Sequence, residues 1–195
     1  MQKMPKNSWI EVIDEKHRLE YLATSFSALG ARSEILEVIF PTMHLKQRIR
    51  LAPNYKKMGP RPKTTSGEYF FRSVKHVIEF SFCLSEYRRL ESAGFDLSES
   101  MHATMRLYLG ICNIAGIEPR VCINTLWELI THVNTNHVME VVCSKKNCGR
   151  LYILPSFGFR STYVCPICNG SMARWMAKSK SLTGIKKTRK VNRPD

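Results

Sequence analysis

The sequence predicts a mainly α-helical protein: a helical domain, then a small four-cysteine ribbon-like module, then a basic tail. Three observations carry that prediction. Apolar residues recur at three- and four-residue steps through the first two-thirds of the 195 residues, the spacing that gathers them on one helix face. Near residue 139 this gives way to short runs rich in β-branched and aromatic residues, separated by glycine and proline. Four of the seven cysteines are interleaved with those runs, and lysine and arginine dominate the segment C-terminal to them.

Residues 1–16 read as an N-terminal arm. From 17 to 39, Leu19, Leu22, Phe26 and Leu29, then Ile35, Leu36 and Ile39, outline an amphipathic helix with a break near Gly30 and a stop at Pro41. A short second helix over 43–52 would end before Pro53. Gly59-Pro60-Arg61-Pro62 with Thr64, Thr65, Ser66 and Gly67 is an irregular connector. From Tyr69 to Leu90, Phe70, Phe71, Val74, Val77, Ile78 and Phe82 again fit a helix. Ser98 reads as the start of a helix through Ile114, with Gly116 as its end. Pro119 then opens a last helix, with Cys122, Ile123, Leu126, Trp127, Ile130 and Val133 on its apolar face. Residues 17–138 thus form one helical domain. The strand-like runs Val141-Val142, Leu151–Leu154 and Ser161–Val164 belong to a module over 139–172, too small to hold together by hydrophobic burial and in need of a staple. Residues 173–195 make a flexible basic tail.

The charge of +14 is unevenly placed. Residues 41–63 hold seven basic residues and no acid, and residues 169–195 hold eight with one aspartate. The remainder carries 15 basic and 15 acidic residues. A neutral body with two cationic segments suits a polyanion, because each neutralised phosphate releases a counterion. The candidate contacts are Lys46, Arg48, Arg50, Lys56, Lys57, Arg61 and Lys63 in the first segment, and Lys178, Lys180, Lys186, Lys187, Arg189, Lys190 and Arg193 in the tail. No apolar run approaches the ~20 residues of a membrane span. The tail offers only Trp175, Met176, Leu182 and Ile185 to a bilayer surface, so no membrane partner is expected. The opening residues lack the apolar stretch and cleavage site of a secretion signal, which makes the cytoplasm the expected location.

The cysteines follow C-x4-C-x16-C-x2-C: Cys143 and Cys148, then Cys165 and Cys168. Two tight turns joined by a hairpin of this length bring four sulfurs around one tetrahedral Zn²⁺. Gly149 and Asn169 follow the second cysteine of each pair and suit the left-handed backbone of such turns. Without a secretion signal, two disulfides are disfavoured. Four thiolates leave no open coordination position, so one structural zinc-ribbon-like Zn²⁺ per chain is expected. Cys83, Cys112 and Cys122 read as small core residues, and His132 and His137 as possible exchange ligands. The zinc-deaminase pattern fails, since His137-Val-Met-Glu140 has the wrong spacing. No P-loop, dinucleotide-binding glycine set, nucleophile elbow or HExxH motif is present, and His17, His44, His76 and His102 are scattered. No enzyme is expected.

Spaced fragments over most of residues 17–170 resemble the bacterial flagellar transcriptional regulator FlhC family. Leu29-Gly30-Ala31-Arg32 matches its "LGAR" segment. Arg48-Ile49-Arg50-Leu51 resembles its "RLIRLY" stretch before a proline-rich connector. Val74-Lys75-His76 with Phe80 resembles its "NVHASMF" helix. Arg106-Leu107-Tyr108-Leu109 reproduces "RLYL", and Leu126-Trp127-Glu128-Leu129 is similar to "AWTLV". The two cysteine pairs stand where that family keeps its zinc ligands, although the first pair is spaced by four residues rather than two. The resemblance implies a DNA-binding transcriptional activator subunit in a hetero-oligomer with an FlhD-like partner, of four plus two chains, that binds promoter DNA and recruits RNA polymerase. Diverged relatives activate transfer genes on mobile elements, so flagellar genes or conjugative-transfer genes are the implied targets. The ribbon would then hold Lys145, Lys146, Arg150 and Arg160 against the DNA. The same charge and cysteines also permit a zinc-ribbon RNA- or ribosome-associated protein without promoter specificity, or an interaction scaffold.

Overall fold

A computed structural model of the chain describes residues 8–44, 46–47, 50, 67–156, 165–166 and 168, with the side chains of 8–14 left aside. Helix α1 spans Ser8–Ala28 and α2 Ser33–Ile39. The first helix therefore begins inside the segment expected to be an arm. The break falls at Gly30, whose φ of 79° lies in the left-handed region. There the Gly30 N–H donates to the Ser27 carbonyl and the Ala31 N–H to that of Phe26, each at 2.9 Å. This paired closure satisfies two carbonyls that the helix end would leave open. Asn124 then holds the turn from the far side. Its amide donates to the Gly30 carbonyl and accepts from the Arg32 N–H, both at 2.9 Å.

A 3-10 turn at Gly67–Phe71 precedes α3, Val74–Ser92. The helix expected from Tyr69 thus starts later, because the Ser73 side chain accepts the His76 N–H and caps it there. Phe70 stays buried nonetheless, edge-on to Phe80 at 4.9 Å between ring centres. Helix α4 covers Leu97–Ala115. Its start is set by Asp96 rather than Ser98: Asp96 accepts the Glu99 N–H while Glu99 reaches back to the Asp96 N–H. Helix α5 runs Ile123–Asn134. It begins after Pro119 by several residues, since Cys122 has the extended backbone of a cap.

The core collects Leu22, Ala23 and Phe26 of α1, Leu36 of α2, Phe80, Cys83, Leu84 and Tyr87 of α3, Met101, Met105, Tyr108 and Cys112 of α4, and Leu126, Leu129 and Ile130 of α5. Cys83 and Cys112 are core residues as expected, whereas Cys122 is a half-buried helix cap. On the opposite side of α4, Leu107, Ile111 and Ile114 face solvent, Ile114 at 89% of its surface.

Strands β1, Val138–Val142, and β2, Leu151–Pro155, pair antiparallel with Glu140 opposite Ile153. Alternation along the strands divides the hairpin's two faces. Val138, Ile153 and Leu151 join the helical core, and the Ile153 N–H donates to the Ser81 hydroxyl of α3 at 3.1 Å. Glu140 is held by Arg88 at 3.0 Å. The other face turns Val141, Tyr152 and Leu154 toward the cysteines. The expected helix over 43–52, the connector and the run Ser161–Val164 fall wholly or mostly outside the described residues. Among those described, no helix is long and apolar enough to cross a membrane.

Candidate metal centre and basic surface

The hairpin delivers the first cysteine pair. As β1 ends, the Cys143 N–H donates to the Arg150 carbonyl, and the Cys148 N–H to the Lys145 carbonyl, each at 2.9 Å. Reversal within so few residues places Asn147 and Gly149 in the left-handed region, at φ 72° and 56°. Asn147 is a turn residue that sequence reasoning missed, although asparagine beside a cysteine is the available signal. Asn169 lies outside the described residues.

The four sulfurs of Cys143, Cys148, Cys165 and Cys168 all lie within 4.8 Å of one another. Cys143 and Cys168 are 3.6 Å apart, and Cys148 and Cys165 3.8 Å. Both are far beyond a disulfide's roughly 2.05 Å, and none of the four cysteines is in a disulfide. They match the edge of about 3.8 Å expected for a tetrahedron with metal–sulfur bonds near 2.3 Å. The donor set therefore fits one soft or borderline divalent ion, with every position filled by sulfur. Tyr152 and Leu154 form an apolar floor beneath it, which nothing in the cysteine spacing foretold.

Thiol acidities show why such a cluster calls for a cation. A hydrogen bond from the Arg150 backbone N–H holds the Cys148 thiol below its ordinary range. Burial, with the neighbouring thiols of Cys143 and Cys165, pushes Cys168 up to about 12. Packed sulfurs cannot all ionise beside one another without a positive centre among them.

His132 and His137 are not part of this cluster: among the described residues, only the four cysteines gather with metal-ligating geometry there. His137 precedes β1, and the strand separates it from Cys143 by about 20 Å of extended chain. It meets the Thr135 hydroxyl at 2.8 Å and lies edge-on to His132. Of the other histidines, His76 stacks on Phe80 and His102 lies edge-on to Tyr21, while His17 and His44 are exposed.

Lys46 and Arg50 are exposed beyond α2, and Lys145, Lys146 and Arg150 are exposed on the first cysteine turn. Arg48, Lys56, Lys57, Arg61, Lys63, Arg160, Lys178, Lys180, Lys186, Lys187, Arg189, Lys190 and Arg193 lie outside the described residues. Several arginines of the helical body are engaged internally instead. Arg18 meets Glu15, Asp96 and Glu99, Arg32 meets Glu128, Arg88 meets Glu91 and Glu140, Arg89 meets Glu86, and Arg120 meets Glu79.

The family model described as flagellar transcriptional activator (FlhC) matches residues 8–182 of the chain. No curated protein matches it.

Proposed function

The chain belongs to the FlhC family of flagellar transcriptional activators, and from that premise we propose that it is the DNA-binding subunit of a hetero-oligomeric activator. The family match over nearly the whole chain carries this reading, and that family consists of transcription factors rather than enzymes. In the proposed assembly an FlhD-like helical partner joins it, in four-plus-two stoichiometry, on promoter DNA in the cytoplasm. The complex recruits RNA polymerase to flagellar genes or to conjugative-transfer genes. The apolar stripe Leu107, Ile111 and Ile114 on α4 supports a partner, because a monomer gains nothing from exposing it. The two acid-poor basic segments support a duplex, with most contacts to phosphates and a few to base edges.

The ion held by Cys143, Cys148, Cys165 and Cys168 is one structural Zn²⁺ per chain in this reading. The chemistry it supplies is cross-linking of the two cysteine pairs. The residues themselves supply the two turns, the thiolates and the Tyr152–Leu154 floor on which they rest.

The experiment that tests the function mixes the full-length chain with an FlhD-like partner and titrates labelled duplexes. Promoter-specific binding only in the partner's presence is expected. Equal affinity for random duplex with and without the partner overturns the proposal, and preference for structured RNA in competition replaces it with the RNA-associated reading. Elemental analysis of freshly purified protein tests the metal, with close to one zinc per chain expected and none refuting it.

A further inference from the structure

Zinc bound by four thiolates carries a net charge of −2, and the first cysteine turn holds three cations and no acid. No carboxylate occurs between Val141 and Ser156, and the nearest acid along the strand, Glu140, is taken by Arg88. Lys145, Lys146 and Arg150 all belong to this short turn. One of them reaches across the site: the Lys145 Nζ donates to the Cys168 carbonyl at 3.5 Å. That contact joins the first cysteine turn to the second, alongside the sulfur pairs Cys143–Cys168 and Cys148–Cys165.

We infer that Lys145 is a positioning residue of the metal centre, its ammonium strapping the second cysteine turn to the first and offsetting the tetrathiolate's charge. This rests on the zinc reading above. The three cations of the first turn exceed the centre's charge by only one, so they add little to phosphate attraction. Each basic segment carries about +7, and counterion release on DNA binding falls to those segments instead. Outer-shell partners of metal ligands typically alter metal affinity by 10- to 100-fold when removed.

The test loads the full-length chain with zinc and follows its release to a chromogenic chelator. Lys145→Met should release zinc roughly tenfold faster than the parent, the lower end of the range for outer-shell partners. Lys145→Arg keeps charge and donor and should restore the parent rate to within about twofold, while Lys146→Met, which removes no bond across the site, should stay close to parent. The salt dependence of duplex binding should be the same for Lys145→Met as for the parent. Release from Lys145→Met at the parent rate overturns the inference. So does a salt slope flattened by about one unit, the signature of a lost phosphate contact. A parent chain that binds no zinc under any loading condition refutes the metal reading itself, a result separable from both.

Discussion

Removing a single oxygen from the core, by Tyr108→Phe, should destabilise the protein by about 3–4 kcal/mol. Glu79 of α3 is a buried carboxylate. The Tyr108 hydroxyl donates to its Oε2 at 2.5 Å, and Arg120 reaches its Oε1 from Nη1 at 2.7 Å. The same hydroxyl accepts the backbone N–H groups of Arg120 at 2.8 Å and Val121 at 3.3 Å. Phenylalanine keeps the ring and its burial, so no cavity term arises. It removes a charge-assisted bond worth about 1.5–3 kcal/mol. It also strips the buried Val121 N–H of this acceptor, at about 1–3 kcal/mol for an unsatisfied group. The Arg120 N–H retains Glu79 Oε2 at 3.2 Å and adds less. The two losses share an acceptor network and fall short of simple addition. Urea denaturation followed by far-ultraviolet circular dichroism, with zinc in excess, should show a lower midpoint at unchanged slope. A loss below about 1 kcal/mol would refute the reasoning, because it would mean that water replaces the phenol in a site the structure shows as closed.

Three further outcomes are expected. Gly116, at φ 63°, ends α4 with the Ile117 N–H on the Cys112 carbonyl at 2.9 Å, so Gly116→Ala should cost about 1 kcal/mol through backbone strain alone, read as a lower melting temperature. For Asp96, partial burial opposes ionisation, but the Glu99 N–H, the Ser98 hydroxyl and Arg18 outweigh it and hold the carboxyl below its ordinary value. Its stabilisation is therefore complete above the unfolded pKa of about 3.9 and lost as pH falls through the lower folded value. Asp96→Ala should cost about 1–2 kcal/mol at neutral pH, with the gap to the parent closing below about pH 4 in denaturation curves. Ile153→Ala should cost about 2–4 kcal/mol from the cavity it opens in the helical core. It should also speed zinc release, because the same strand carries Tyr152 and Leu154 on its other face. A faster release with no loss of stability would contradict the shared-strand arrangement.

Local sequence was enough to show the helices whose apolar residues keep one period. Ile123, Leu126, Ile130 and Val133 of α5 lie buried on the face their spacing marked. It was enough, too, for the break at Gly30 and the end at Gly116. The four cysteines were legible for the same reason: ligand type and spacing are local properties, and each turn needs only short-range backbone geometry to bring its own pair together, although the two pairs meet within 4.8 Å only in the folded chain. Helix starts were less so, because the caps at Ser73 and Asp96 act on His76 and Glu99 three residues on, a local signal that apolar periodicity does not register.

Tertiary structure decided the features that depend on distant segments meeting. Tyr108, Glu79 and Arg120 form one network across α3, α4 and the loop before α5, and Asn124 closes the Gly30 turn from far along the chain. Buried polar groups must find partners wherever packing supplies them, and periodicity carries no record of which those are. The hairpin shows the same division. Its sequence revealed two short strands near a metal-ligating pattern. Only folding determined that Ile153 would enter the helical core while Tyr152 and Leu154 turned to the cysteines, because a strand's alternation assigns residues to two faces without saying what each face will meet.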